Sequence, residues 1–240
     1  MRNLRVLGVL AALGLVTAAG AANAGVTSTW TLASDYDFRG ITQTAQDPAI
    51  QTSVDYVHDS GWYVGAWASN VDFGTDSDID YEVDLYTGFS GTSESGLGWD
   101  AGLVYYTYPQ DSDANYFEIY GGLSKSWFKG KLWYSNDFGG DSTSGVTPAW
   151  YAEANGTFPL PADFELLAHV GYSFGDYWSD ADSEYFDYSV GVGHKAGNFN
   201  LALKYIDGSD LEAANNVPKD VFSSDARVVF TISTTFPWGE

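Results

Sequence analysis

The chain has 240 residues, 32 acidic against 10 basic side chains, a formal charge of -22 and no cysteine. So acidic a chain makes nucleic acid a poor partner, and without cysteine neither disulfides nor thiol chemistry contribute to the fold. Aromatic residues make up 17% of the sequence, which excludes the weakly hydrophobic composition of a disordered acidic protein.

The chain opens with Arg2 and Arg5, an apolar run from Val6 to about Val16, and the small-residue motif Ala22-Asn23-Ala24. That is the pattern of a secretory signal peptide over residues 1–24, with cleavage near Ala24. Residues 25–240 are then a single domain of 216 residues (240 minus 24), and loss of two arginines moves its formal charge to -24. No later segment approaches the ~20 apolar residues of a membrane-spanning helix. If this domain spans a bilayer it must be a barrel, since only helices and closed barrels satisfy their backbone in lipid.

From residue 26 onward the sequence alternates with a period of two, the mark of β-strands with two unlike faces. The first strand is expected over Val26–Phe38, with Val26, Trp30, Leu32, Tyr36 and Phe38 on its apolar face and Asp35, Asp37 and Arg39 opposite. The second begins after Pro48, with Ile50, Val54 and Tyr56 opposing Gln51, Ser53 and Asp55. His58-Asp59-Ser60-Gly61 reads as a tight turn. The third, Trp62–Phe73, carries aromatics on both parities, so its facing stays open. The fourth sets Tyr81, Val83, Leu85 and Phe89 against Glu82, Asp84 and Tyr86.

The middle and end of the chain repeat the plan. Trp99, Leu103 and Tyr105 oppose Asp100; Phe117, Ile119 and Leu123 oppose Glu118. A short seventh strand is placed at about Lys131–Phe138. Trp150, Ala152 and Ala154 oppose Glu153; Phe164, Leu166 and Val170 oppose Glu165 and His169. Phe186, Tyr188 and Val190 oppose Asp187; Leu201, Leu203 and Tyr205 oppose Lys204; Val228, Phe230 and Ile232 oppose Arg227. The pattern predicts an all-β transmembrane antiparallel barrel of about twelve strands in an up-and-down meander. Short turns alternate with longer, mostly acidic loops, as in outer-membrane barrels, and every proline lies at a strand end or in a connection.

The stretch Ser34-Asp35-Tyr36-Asp37-Phe38-Arg39-Gly40-Ile41-Thr42-Gln43-Thr44 resembles the opening signature of the TorF-type porin family of proteobacterial proteins. Pro48-Ala49-Ile50-Gln51, His58-Asp59-Ser60-Gly61, Ser69-Asn70-Val71-Asp72-Phe73-Gly74 and Glu82-Val83-Asp84-Leu85-Tyr86 extend the resemblance over about residues 28–90. It implies an outer-membrane barrel in a Gram-negative bacterium, with a transport role.

By parity, the expected inward acids are Asp35, Asp37, Asp55, Glu82, Asp84, Asp100, Glu118, Glu153, Glu165 and Asp187, against the bases Arg39, Lys204 and Arg227. Ten acids against three bases leave a lumen near -7, and acidic rings favour cations. The expected function is passive diffusion of small cationic or neutral solutes through a porin-like channel. The alternative is a plugged structural or ligand-binding barrel, since small barrels often fill their interiors. Closure of the barrel further predicts an ion pair of Arg227 with Asp35 or Asp37. Expected partners are outer-membrane lipid and small solutes or ions. No cofactor or enzymatic activity is expected: Glu165, His169 and Ser173 share a strand face, but i and i+4 lie roughly 13 Å apart there. The acidic repeats Asp76-x-Asp78-x-Asp80 and Asp180-x-Asp182-x-Glu184 read as solvated loops rather than cation sites. A soluble sandwich is disfavoured because twelve aromatic-rich faces exceed what one core buries, and exposed apolar area of that size aggregates in water.

Overall fold

The computed structural model describes residues 25–75, 77–140, 148–179, 184–209 and 221–238. Residues 1–24 and the acidic positions Asp76, Asp180 and Asp182 lie outside that range. In chain order the strands are β1 (Gly25–Ala33), β2 (Asp37–Phe38), β3 (Ile41–Thr42), β4 (Ala49–Val57), β5 (Trp62–Asn70), β6 (Tyr81–Thr92) and β7 (Gly98–Thr107). They continue as β8 (Tyr116–Lys125), β9 (Phe128–Ser135), β10 (Ala149–Pro159), β11 (Phe164–Phe174), β12 (Tyr185–Ala196), β13 (Phe199–Gly208) and β14 (Arg227–Phe236), with one helical turn, α1 (Asp176–Ser179), before β12.

Twelve of these strands close a barrel in the order β1-β14-β13-β12-β11-β10-β9-β8-β7-β6-β5-β4, while β2 and β3 form a separate two-stranded hairpin. Every barrel pair is antiparallel, and the seam between first and last strands is continuous, from Ser28 opposite Phe236 to Ala33 opposite Thr231. Closure pairs both edges of the sheet, so no row of backbone amides is left without partners.

Alternation sorts the side chains. Trp30, Leu32, Ile50, Val54, Leu85, Leu103, Ile119, Val190 and Leu203 are among the exposed residues of an apolar outer surface that runs around the barrel. A soluble protein would not expose this much contiguous apolar area. Inside, Tyr63, Trp67, Tyr86, Val104, Tyr106, Tyr120, Trp133 and Tyr151 form one buried aromatic-rich cluster. The facing of β5 is thereby settled: Tyr63 and Trp67 point inward and Val64 outward.

Three sequence expectations are corrected. The first strand ends at Ala33, not Phe38, because the chain turns inward at Ser34–Asp35. Tyr36 is therefore buried inside, and Phe38 packs against the interior cluster rather than facing outward. The seventh strand is β9, three residues earlier than expected at each end.

Glycine is required at two places. Gly61 has φ 86° in the turn before β5, and a Cβ there would lie 2.1 Å from the Ser90 carbonyl oxygen. Gly40 has φ 82° at the tip of the β2–β3 hairpin, where a Cβ would lie 2.6 Å from Cβ of Asp187 on β12. Only a residue without a side chain lets the hairpin tip sit against that wall.

Candidate functional site

The candidate site is the barrel interior at the level of the inturned hairpin, residues 34–48. Locally the hairpin is fixed by Asp35, whose carboxylate accepts hydrogen bonds from Thr42 Oγ1 at 2.5 Å and Thr44 Oγ1 at 3.0 Å. Its backbone is tied to neighbouring connections by Thr42 N–H donating to Ser223 O (3.0 Å) and Asp72 N–H donating to Gln43 O (2.8 Å).

Arg227, at the start of β14, anchors the hairpin. Its Nε donates to Asp35 Oδ2 at 2.5 Å, its Nη1 to Gly40 O at 2.9 Å, and its Nη2 to Asp37 Oδ1. The seam ion pair thus forms with both aspartates, but through the hairpin rather than through strand register.

Arg39 reaches across the interior from the hairpin turn, where its φ is 54°. Its guanidinium makes a two-pronged contact with Glu118 on β8, Nη1 to Oε1 at 3.0 Å and Nη2 to Oε2 at 2.6 Å. β8 lies five strands from β1 one way round the ring and seven the other, so through the hairpin the end of the first strand is tied to a distant part of the wall. The same guanidinium stacks over Tyr151 on β10, 4.3 Å from the ring centroid, and over Phe38 at 4.7 Å. Two parallel charge-assisted bonds with a stacked plane make a rigid, directional strut. On a third wall, Tyr36 OH donates to Glu82 Oε1 on β6 at 3.2 Å.

The remaining charged residues divide by wall. On β7 and β9, Lys131 Nζ lies 3.1 Å from Asp100 Oδ2, and Tyr63 OH also donates to Asp100 at 2.7 Å. On β10–β12, His169 Nε2 is 2.8 Å from Asp187 Oδ1, Asn155 Oδ1 lies 2.8 Å from His169 Nδ1, and Glu153 is 3.9 Å from the same ring. Trp133 Nε1 donates to Glu153 at 2.9 Å. Lys204 on β13 and Glu165 on β11 are half-buried, and Glu165 Oε2 accepts no hydrogen bond. On β4, Asp55 accepts from Ser53 Oγ at 2.7 Å and from Tyr86 OH. Glu82 and Asp84 on β6 are buried, and neither carboxylate oxygen of Asp84 accepts a hydrogen bond.

All ten acids named from the sequence lie away from the exposed apolar face. So do Arg39, Lys204 and Arg227, but Arg39 does so from the hairpin and not from the first strand. Sequence reasoning missed Lys129 and Lys131, which share the inner face of β9 with Trp133. The run Phe128-Lys129-Gly130-Lys131-Leu132-Trp133 contained that signal, with Phe128 and Leu132 outward. Five interior bases against ten acids leave a formal -5, less acidic than the expected -7. The grouping of Glu165, His169 and Ser173 into a hydrolase set is not realised, because His169 is engaged by Asp187 and Asn155.

The chain is thus a closed twelve-stranded antiparallel barrel with an apolar outside, a charged inside and a hairpin turned into it. Solved structures resemble it in fold: a structure described as the KdgM porin is 7% identical, with a TM-score of 0.55, matching 89% of this chain and 99% of that one. The NanC porin is 9% identical, with a TM-score of 0.54 over 88% of this chain and 98% of that one. The KdgM porin is also known in complex with disordered oligogalacturonate, and that structure matches at 7% identity with a TM-score of 0.51, over 89% and 99% of the two chains. At these identities the likeness is one of fold. No protein of curated function matches the sequence. The chain belongs to the family described as "Bacterial protein of unknown function (Gcw_chp)", which matches residues 17–236.

Proposed function

We propose that this protein is a porin-like channel of the Gram-negative outer membrane, exported with cleavage near Ala24, in which the β2–β3 hairpin forms the constriction. The reading includes the TorF-type resemblance of residues 28–90. The observation that carries it is the two-sided barrel wall: an apolar belt of side chains outside, and ten acids against five bases inside. An acidic lumen lowers the energy of cations relative to anions along the path. Passive diffusion of small cationic or neutral solutes follows. An anionic polymer of the kind bound by the KdgM porin is not the solute this interior favours.

The inturned hairpin favours a second reading, a plugged barrel without transport. Arg39, Tyr36 and Arg227 tie it to β8, β6 and the seam, and a filled interior suits a structural or ligand-binding role. Planar-bilayer recording of the refolded protein separates the two. Steady single-channel conductance supports the channel. A folded, inserted barrel that stays silent, but conducts once residues 36–46 are replaced by a short glycine-serine loop, identifies the hairpin as a plug.

A further inference from the structure

We propose that Glu82 and Asp84 hold a small, hard cation in oxygen coordination on the inner wall of β6. The inference extends the acidic-interior reading but does not require the barrel to conduct.

Three observations carry it. The side chains sit two residues apart on one strand face, about 6–7 Å along the strand, close enough for both carboxylates to reach one ion. Asp84 is 0% and Glu82 2% exposed, so bulk water solvates neither. Both carboxylate oxygens of Asp84 lack any hydrogen-bond donor, and Glu82 has hydroxyl donors alone, Tyr36 at 3.2 Å and Tyr108. A carboxylate removed from water without donors is strongly disfavoured, and an unpaired buried charge is compensated by a bound counter-ion or a proton.

The surroundings offer no internal counter-ion. No ion pair of the described residues involves Asp55, Glu82 or Asp84, whereas the arginines and Lys131 are engaged elsewhere, with Glu118, Asp35, Asp37 and Asp100. The register places Trp67 and Tyr106 on either side of Asp84, so the neighbours across the sheet are aromatic and supply no charge. Two carboxylates and a phenol are hard oxygen donors, the set suited to Na⁺, K⁺, Ca²⁺ or Mg²⁺ rather than to a soft metal. Tyr36 comes from the hairpin, so a cation here would connect the hairpin to the β6 wall.

The test uses the folded full-length barrel in detergent, stripped of divalent ions by a chelator. Terbium, a hard trivalent probe, is titrated in, and its luminescence is excited through tryptophan, Trp67 being the nearest donor by register. Asp84→Asn serves as the variant, since it keeps the shape and removes the charge. We expect saturable sensitised emission in the wild type that falls at least fivefold in Asp84→Asn and is competed away by one of the four ions. Competition by Na⁺ or K⁺ assigns a monovalent site, and by Ca²⁺ or Mg²⁺ a divalent one. Wild-type and Asp84→Asn curves that superimpose overturn the proposal, since the emission would then arise in the acidic loops. Should Asp84→Asn fail to fold, Glu82→Gln and the wild-type melting temperature decide it: a melting temperature that one ion raises, at matched ionic strength, supports the site. One that no ion moves leaves a shared proton as the compensating charge and overturns it.

Discussion

The wall formed by β4–β6 and the wall formed by β7–β14 solve the same problem in different ways. Both bury carboxylates. On the second wall each of Asp100, Glu118 and Asp187 has a basic or imidazole partner, and Arg227 is bonded to both aspartates of the hairpin. On the first wall Asp55 and Glu82 have only hydroxyl donors and Asp84 has none. The difference shows that acidity in this interior is local. The second, paired wall, with the half-buried Glu165 on β11 as its exception, uses most of its acids to hold bases and the hairpin, whereas on the first, unpaired wall Asp55, Glu82 and Asp84 face no base in an ion pair of the described residues. A fixed buried pair contributes geometry more than stability, whereas an uncompensated carboxylate is a standing demand for positive charge.

Variants on the paired wall should be the most damaging. Arg227→Met leaves the buried Asp35 and the half-buried Asp37 without their cation, and removing one partner of a buried pair costs about 3–5 kcal/mol. The hairpin should be released, and because Arg39 is buried in the docked state, limited trypsin digestion followed by mass spectrometry should show new cleavage after Arg39 in this variant. Next in size is a change that ignores both walls and tests the outside. Leu103→Arg, on the exposed apolar belt, should destabilise the barrel in lipid by about 2–4 kcal/mol if Leu103 sits near the bilayer midplane. Urea unfolding in vesicles measures that, and no effect would argue against lipid at this face.

Lys131→Met should cost less, about 1.5–3 kcal/mol, because Asp100 keeps the Tyr63 hydroxyl as donor. The same urea titration reads it. The smallest effect, and the one of opposite sign, is expected on the unpaired wall. Asp84→Asn in ion-free buffer should be neutral or stabilising by about 1 kcal/mol, since it removes a charge with no partner. A loss comparable with that of Lys131→Met would show that Asp84 is paired after all and would erase the contrast between the walls.

The barrel was legible in the sequence because its two faces differ at every second residue, as along Tyr81–Phe89, where each outward residue is apolar or threonine and the inward acids Glu82 and Asp84 flank Val83. The hairpin was not. Asp35-Tyr36-Asp37-Phe38 keeps the same alternation, and nothing local distinguishes an aromatic aimed at lipid from one aimed at Trp67, 5.3 Å from the Tyr36 ring. The partners that hold the inward turn, Arg227 at the seam, Glu118 on β8 and Glu82 on β6, are far apart in sequence and meet the hairpin when the ring closes. Charge was missed where a strand was short: starting the seventh strand at Lys131 left Lys129 outside it and hid the inner parity that Lys129, Lys131 and Trp133 share. Lack of compensation at Asp84 is a property of three-dimensional neighbours and has no signature in one strand.

The most direct test of an acidic, unpaired inner wall is the reversal potential of the refolded protein in a planar bilayer under a KCl gradient. An acidic inner wall gives a potential of the sign for K⁺ over Cl⁻, reduced in a variant carrying Asp55→Asn, Glu82→Gln and Asp84→Asn together. A wild-type potential of the opposite sign, or one that the triple variant leaves unchanged, would contradict it.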